Sequence, residues 1–390
     1  MERDTLKSID ACASHYGAQA DEMRQYLIEG EQAAYQLDNR GPIRFDADGE
    51  LSGDILEAYS RYGFYVFTSV IKEDELEDIV EDLESMRARF PVESGSPVTK
   101  DGEPALGADC EAPTLLWSKP LGDPLGGTAL ARGRHEVKLI EPEASADAPK
   151  EAPFILLGSL QFSEACLRVY GHPQLLRVAE SIHGGDFAPF NESLFIKDPG
   201  VGAAVSWHQD GDTHWDSDSF DEGIHGFNFM AQVYGSTAVN GVWVLPGSHK
   251  LGKISITKLV EDSGSERIEG AVPLVCDAGD VVICNRQLVH GSFPNSGFEP
   301  RLTINFGFHR RSSVLDVVGA GIHNEVMCYD TKLIEHRSRV IGYGIDARSK
   351  WYPEEASYQY KPFAESGQEY IWNEEAKAGL KDYNLQDLSI

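Results

Sequence analysis

The sequence lacks long hydrophobic runs, closely spaced cysteines and an excess of basic residues. No stretch of about 18 apolar residues occurs, so we expect no membrane-spanning helix. The N-terminal segment has no apolar core of the secretory type, so we expect no secretory signal. These absences favour a cytoplasmic protein without a membrane partner. No C-x-x-C spacing occurs, so reduced intracellular thiols are expected at Cys12, Cys110, Cys166, Cys276, Cys284 and Cys328.

The shortage of basic residues gives the chain a strong negative charge. Its 34 lysines and arginines are outnumbered by 63 aspartates and glutamates, which makes the formal charge −29. An acidic surface repels nucleic acid and anionic lipid, so neither is expected as a partner. Because the acids are spread along the chain, we interpret them as a solubilising surface; selection of a cationic substrate is the alternative.

The chain has 390 residues, of which 41% are hydrophobic, and this is enough for a large core. Residues 1–50 predict an N-terminal helical extension, residues 51–320 one β-rich domain, and residues 321–390 a C-terminal helical extension. Residues 91–153 hold nine of the 19 prolines, so they predict an irregular insertion with room for a short hairpin.

Local patterns predict the elements of the central domain. RYGFYVFTSV predicts a strand, and the segment after it predicts an amphipathic helix with Leu76, Val80, Leu83 and Met86 near helical spacing. Residues 155–186 predict helix, as does TKLIEHRSRVIGYGIDARSKW in the tail. Between residues 187 and 314, short apolar segments alternate with Gly, Pro and Asn, which is typical of a β-sandwich or barrel. These segments include ESLFIKD, FNFMAQVYG, GVWVLPGSH, DVVICNRQ and RLTINFGFH.

The segment VSWHQDGDTHW carries the spacing of a metal site. Residues two apart face the same side of an extended strand, so His208 and Asp210 would point to one place. Two histidines and one carboxylate on one face of an ion are typical of non-haem Fe(II) oxygenases. An H-x-D triplet alone is weak evidence, because a solvated pair has the same spacing.

A second histidine is needed, and His290 is the candidate because it ends the predicted strand in GDVVICNRQLVHGS. His249 follows a Pro-Gly-Ser turn, where a structural or surface role is typical, and His309 lies on a predicted core strand. The remaining rivals are His214, His225 and His323.

Arg301 opens the predicted strand RLTINFGFH, 11 residues after His290. Arg301 and Thr303 alternate onto one strand face, where a guanidinium and a hydroxyl can bind a carboxylate. An arginine that faces a β core is costly without an anion. We interpret that anion as a dicarboxylic cosubstrate held between the metal and Arg301; a buried salt bridge to one of the protein's own acids is the alternative.

An ordered set of these motifs resembles the phytanoyl-CoA dioxygenase family of Fe(II)- and 2-oxoglutarate-dependent oxygenases. The resemblance covers roughly residues 55–90 and 155–315, and it implies an α+β fold, a double-stranded β-helix or jelly roll (cupin-like) flanked by helices. Residues 91–153 and the tail from about Tyr329 have no counterpart in compact members. The motifs are YSRYGFYVF, HPQLLRVAESI, FIKDPG, WHQDG, NGVWVLPGSHK, AGDVVICNRQLVHGSFPN and RLTINFGFH.

The resemblance also implies roles for single residues. It implies Arg301 as the residue that binds the distal carboxylate of 2-oxoglutarate, with Ser292 as a second contact. Thr303 and Gln232 are further candidates in the cosubstrate pocket. The implied cofactors are Fe(II), 2-oxoglutarate and O2, with ascorbate as the reductant in vitro. The implied iron ligands are His208, Asp210 and His290.

The segment GDTHWDSDSFDEGIHGFN leaves the predicted iron strand directly after Asp210, so its first residues must lie at the mouth of the site. Its charge and three glycines predict a surface loop. We expect Trp215 and His214 to cover the substrate and exclude water. A solvated loop without a role is the alternative.

The expected reaction is hydroxylation of an unactivated C–H bond of a small-molecule metabolite, with release of succinate and CO2. Desaturation, epoxidation or cyclisation would need only a different substrate pose. A non-catalytic jelly-roll binding protein and a Zn-dependent hydrolase are the alternatives from other classes. No basic cluster that could hold the phosphates of CoA lies near the predicted core, so a CoA thioester is not favoured as the substrate. A role in secondary metabolism is expected. The sequence does not indicate whether the protein is a monomer or an oligomer.

Overall fold

The computed structural model describes residues 2–128, 133–210, 226–319 and 325–387. In these ranges, no helix combines the length and the apolar character that crossing a membrane requires. The helices are α1 (Glu2–Ser14), α2 (Ala20–Gln36), α3 (Gly53–Tyr62), α4 (Glu73–Ala88), α5 (Glu164–Tyr170), α6 (Pro173–His183), α7 (Ile256–Ser263), α8 (Arg311–Val314), α9 (Thr331–Trp351), α10 (Lys361–Ser366) and α11 (Glu374–Gly379). The strands are β1 (Arg40–Gly41), β2 (Phe64–Phe67), β3 (Leu115–Ser118), β4 (Ala152–Leu157), β5 (Ala188–Lys197), β6 (Val205–His208), β7 (Gly226–Gln232), β8 (Trp243–Val244), β9 (Val272–Pro273), β10 (Val281–Asn285), β11 (His290–Ser292), β12 (Arg301–His309), β13 (Val318–Gly319) and β14 (Met327–Cys328).

Two sheets enclose one cavity. The large sheet has the order β1-β2-β10-β7-β12-β5-β4-β3, and the small sheet has the order β6-β11-β8-β9. Pairing in both is antiparallel except between β1 and β2. His208 and His290 of the small sheet line the same cavity as Arg301 and Asn228 of the large sheet. The α+β jelly roll that the family resemblance implies, and with which the strand pattern agrees, is therefore confirmed.

Alternation along β12 separates the cavity from the helical core. Leu302, Ile304 and Phe306 face outward and are buried against a layer of helices that includes α3, α4, α5, α6 and α9. The residues between them face inward. The helical layer therefore holds the large sheet in place and leaves the inner face to the site.

The N-terminal helices cover the small sheet. Tyr26 of α2 stacks on Trp243 of β8 with 4.4 Å between ring centroids and 12° between ring planes. One turn further along α2, a Cβ on Gly30 would lie 2.3 Å from the Trp243 ring. Only glycine allows this close approach of α2 to β8. The helices predicted over residues 1–50 are present as α1 and α2, and α2 packs against β8 behind the site.

The helix prediction for residues 155–186 is wrong at its start. Ala152–Leu157 form β4, which pairs with β3 and β5 at the edge of the large sheet. Both faces of β4 are largely buried, so its run of apolar residues has no strand alternation to distinguish it from helix. The predicted insertion thus contributes β3 and the first two residues of β4, but residues 119–151 separate these two strands, so the pair is not the short hairpin that was expected. The predicted tail helix is confirmed as α9.

Candidate functional site

Three buried side chains of the small sheet meet at the cavity. His208 ends β6, and it lies opposite His290 in the antiparallel pairing of β6 with β11. The ligand atoms of His208, Asp210 and His290 all lie within 4.8 Å of one another. Nε2 of His208 is 3.5 Å from Oδ1 of Asp210, and Nε2 of His290 is 3.9 Å from Oδ2. The structure thus brings together the three residues that the sequence predicted as metal ligands.

Hydrogen bonds on the outer side of each ring orient the histidines. Nδ1 of His208 lies 2.8 Å from the carbonyl oxygen of Ser206, and Nδ1 of His290 lies 2.9 Å from that of Leu288. Because Nδ1 must donate to a carbonyl, Nε2 of each ring keeps its lone pair and faces Asp210. Two imidazole lone pairs beside one carboxylate fit a divalent transition metal such as Fe(II).

Asp210 is held by three side chains besides the histidines. Nη1 of Arg134 donates to Oδ1 at 3.1 Å, and Nδ2 of Asn228 donates to Oδ2 at 3.1 Å. Nε of Arg286 lies 3.9 Å from Oδ2. The backbone N–H of Asp210 donates to the Arg286 carbonyl at 2.8 Å. These contacts fix the orientation of the carboxylate.

The protonation states suit metal binding. Burial raises the pKa of the Asp210 carboxyl, but its contacts with His208, His290 and Arg286 outweigh burial and hold that pKa well below its usual value. Burial, with the charge of His208, lowers the pKa of His290 to about 4. Near neutral pH the carboxylate is therefore ionised and the His290 ring is neutral.

The insertion reaches this centre, which sequence reasoning missed. Its Arg134 contacts Asp210, and its His135 stacks on His208 with 4.1 Å between ring centroids. Nδ1 of His135 is 3.1 Å from the Ser206 carbonyl that also orients His208. Residues 91–153 have no apolar periodicity, so no sequence signal could have placed Arg134 or His135 here.

Arg301 lies in the wall of the same cavity and is 2% exposed. Its Nε donates to Oγ1 of Thr303 at 3.1 Å, and its Nη1 donates to the carbonyl of Asn240 at 2.9 Å. Thr303 in turn donates to Oε1 of Gln232 at 3.0 Å. Thr303 lines the cavity, and Gln232, its cross-strand partner, accepts its hydrogen bond without lining the cavity itself. Burial lowers the pKa of Arg301 to about 10, which still leaves it charged near neutral pH.

Lys197 is a second basic side chain at this end of the cavity, and sequence reasoning also missed it. Its Nζ donates to Oγ of Ser292 at 2.8 Å and to the carbonyl of Phe293. Ser292 lines the cavity, as expected of a cosubstrate contact. Burial, followed by the charge of Arg301, lowers the pKa of Lys197 well below its usual value. The signal was present in FIKDPG, where Phe195 and Lys197 share the inner face of β5.

The structure places two of the rival histidines elsewhere. Nε2 of His249 is 3.1 Å from the carbonyl of Ser60, and Nε2 of His309 is 2.8 Å from Nη1 of Arg286. Neither belongs to the metal-ligating cluster of the described residues. The other rivals, His214, His225 and His323, lie outside the described residues, as does Trp215 with the predicted substrate cover.

Comparison with known proteins supports the chemistry of this site. The profile of the Phytanoyl-CoA dioxygenase (PhyH) family matches residues 59–303. No curated protein sequence matches the chain. Similar solved structures include EvdMO1, with 19% identity and a TM-score of 0.43 over 64% of this chain and 48% of that one. This chain therefore spans about half the length of EvdMO1.

Two further solved structures are similar to the chain. AviO1 from Streptomyces viridochromogenes Tue57 has 20% identity and a TM-score of 0.45, over 65% of this chain and 92% of that one. EctD from S. alaskensis with 2-oxoglutarate and 5-hydroxyectoine has 18% identity and a TM-score of 0.48, over 72% and 82%. The family profile, which spans more than half of the chain, shows that the chain belongs to the phytanoyl-CoA dioxygenase family of Fe(II)- and 2-oxoglutarate-dependent oxygenases.

Proposed function

We propose that His208, Asp210 and His290 hold the Fe(II) of this oxygenase and that Arg301 binds the distal carboxylate of 2-oxoglutarate. The proposed reaction is hydroxylation of an unactivated C–H bond of a small metabolite, with release of succinate and CO2. We place this activity in the cytoplasm and in secondary metabolism. The free state of all six cysteines supports the first assignment.

The observation that carries the proposal is the isolation of the Arg301 guanidinium. Among the described residues, no carboxylate lies within 4.0 Å of it, so the alternative of an internal salt bridge is not supported. A buried cation without a counter-ion is costly, and a bound carboxylate would remove that cost. Arg301 shares the cavity with His208 and His290, so one dicarboxylate could contact both the cation and the metal.

The protein's own residues bind, orient and exclude water. Arg301 supplies positive charge for a carboxylate, Ser292 and Thr303 supply hydroxyls beside it, and Lys197 orients Ser292. When bound, Fe(II) supplies O2 activation coupled to decarboxylation of the 2-oxo acid. The apolar side chains in the wall keep this chemistry away from water. They are Phe195, Val205, Met230 and Val242.

Oxygen-dependent conversion of 2-oxoglutarate to succinate tests this function. The protein is incubated with Fe(II), 2-oxoglutarate, ascorbate and a metabolite extract, in air and under nitrogen. We expect succinate only in air, together with a metabolite that has gained one oxygen atom. A metabolite that has lost two hydrogens would indicate desaturation or cyclisation instead. Absence of oxygen-dependent succinate would contradict the proposal and leave a binding protein or a zinc hydrolase.

A further inference from the structure

The inner face of the large sheet carries a row of neutral polar side chains that starts beside Asp210. Asn228 on β7 donates to Asp210, and Asn305 on β12 lines the same cavity. Ser193 on β5 is the cross-strand partner of Asn305, and Asn191 lies two residues before it. We call these four residues, Asn228, Asn305, Ser193 and Asn191, the polar row. Each is 5% exposed or less.

Much of the polar row has no hydrogen-bond partner in the described part of the chain. The unpartnered atoms are Nδ2 and Oδ1 of Asn191, Oγ of Ser193 and Oδ1 of Asn228. Buried polar groups are almost always paired, because an unpaired one loses its hydration without compensation. Unpaired groups on β5 and β7, the two neighbours of β12 in the large sheet, are therefore typical of a surface that a ligand completes.

The strand register directs these groups inward. Paired residues of neighbouring strands share a face, and Asn305 faces the cavity, so Ser193 faces it too. The register shifts opposite Gly307, where β5 has a bulge at residues 190–191. A Cβ on Gly307 would lie 1.7 Å from Cε1 of Phe190 and 2.7 Å from Oδ1 of Asn228. The bulge places Phe190 over Gly307 on the inner face. Because the two residues of a β-bulge lie opposite one residue of the partner strand, we place Asn191 on the inner face as well.

We propose that the polar row binds the hydrogen-bonding part of a substrate that carries no net charge, a group with hydroxyls or amides. This proposal rests on the proposed oxygenase function and names its substrate class. Carboxamide and hydroxyl side chains both donate and accept hydrogen bonds. The ligand groups that match them do the same, and hydroxyls and amides are such groups. The nearby cations Arg134 and Arg286 already face Asp210. An anionic or cationic substrate group would be buried at the row without a counter-charge, and a hydrocarbon would leave the amides unpaired.

Fractionated extract tests the substrate class. A metabolite extract is divided by ion exchange into neutral, anionic and cationic pools, and each pool is added to the Fe(II)-loaded protein with 2-oxoglutarate. We expect the neutral pool to stimulate succinate formation and to contain the oxidised product. Stimulation confined to a charged pool, or to the hydrocarbon fraction of the neutral pool, would overturn the assignment.

Variants connect the stimulation to the polar row. Ser193→Ala and Asn191→Leu remove unpaired groups of the polar row. Stimulation is measured relative to each variant's own unstimulated rate. Each variant should need roughly threefold to tenfold more of the neutral pool for half-maximal stimulation than wild type needs. Ser193→Ala changes volume least and keeps the test valid if Asn191→Leu does not fold. Unchanged pool dependence in both variants would overturn the proposal.

Thermal unfolding separates a ligand-binding role from a structural one. Asn191→Leu removes two unpaired atoms and should raise the melting temperature by about 1–3 °C. The matched control is Asn295→Leu, because Asn295 is equally buried but donates to the carbonyls of Lys197 and Glu299. That control should melt at a lower temperature. Equal destabilisation by both changes would assign Asn191 a structural role and overturn the proposal.

Failure of the substrate assignment and failure of the oxygenase function give different results. If wild-type protein forms no succinate from 2-oxoglutarate with Fe(II) in air, with or without any pool, the proposed function itself is wrong. If succinate forms and responds only to a charged pool, the function stands and the assignment of the polar row is wrong.

Discussion

The two ends of the cavity use the same three strands in different ways. At the Arg301 end, the basic side chains are hydrogen-bonded to hydroxyls, Arg301 to Thr303 and Lys197 to Ser292. At the Asn191 end, the side chains are neutral and several polar atoms are unpartnered among the described residues. A pre-organised charged end suits a ligand of fixed charge, whereas an unsatisfied neutral end is completed by the hydrogen bonds of the ligand that it binds.

Asp210 lies between the two ends, so its loss should have the largest effect. Replacing Asp210 by Ala removes one metal ligand and leaves Arg134 and Arg286 facing each other without a carboxylate. We expect succinate formation to fall to background and metal binding to weaken strongly, with folding retained. Succinate assays, metal titration and circular dichroism check this. His208→Ala and His290→Ala should behave alike, and near-normal turnover in any of the three would remove that residue from the ligand set.

Breaking the charged end should affect 2-oxoglutarate alone. Arg301→Leu removes a charged contact worth about 2–5 kcal/mol, so the apparent KM for 2-oxoglutarate should rise at least roughly tenfold. Metal affinity should change little, because Arg301 contacts none of the three metal-ligating side chains in the described structure. Arg301→Lys, which keeps the charge, should fall between wild type and Leu. An unchanged KM would mean that another cation, such as Lys197, holds the carboxylate.

Removing the contact from the insertion should weaken the metal centre. Arg134→Leu deletes the donor to Oδ1 of Asp210, and loss of such a supporting contact lowers metal affinity by about tenfold to a hundredfold. Anaerobic Fe(II) titration measures this directly. Arg87→Leu is the matched control, since Arg87 pairs with Asp198 at a partly exposed position. Equal Fe(II) affinity in both variants would show that Arg134 does not position Asp210.

The smallest effect on activity is expected from the outer face of β5. Burial raises the pKa of Glu192 to about 7, although hydrogen bonds with Ser159 and Tyr383 oppose this. Because folding raises this pKa, the contribution of Glu192 to the free energy of unfolding is full below about pH 4.5, and it is lost as the pH rises through 7. Glu192→Gln should therefore gain on the order of 2–3 kcal/mol over wild type between pH 5 and pH 8. Denaturant unfolding at both pH values checks this.

The outer-face change should leave succinate formation unaltered, because Glu192 faces the helices and not the cavity. A pH-independent difference in stability would show that Glu192 is ionised in the folded protein at both pH values. A change in the KM for 2-oxoglutarate would show that the two faces of β5 are coupled, and that the helical layer on the outer face influences cosubstrate binding at the inner face.

Local periodicity predicted much of this site. The two-residue spacing that aims His208 and Asp210 together, and the alternation that puts Arg301 beside Thr303, depend only on how an extended chain directs its side chains. The same regularity predicted β12 at its observed bounds, Arg301–His309, and the tail helix α9. Periodicity did not separate β4 from helix, because an apolar run buried on both faces has no period.

Only the tertiary structure decided which distant residues complete the site. His290 is 80 residues from Asp210 in the sequence. The pairing of β11 with β6 places it opposite His208, and the residues next to His290 in the sequence do not encode that pairing. Arg134 reaches Asp210 from an insertion without periodicity. The unpartnered state of Asn191 was also invisible in the sequence, because hydrogen-bond satisfaction depends on which groups come within about 3 Å after folding, and a linear pattern carries no such distance.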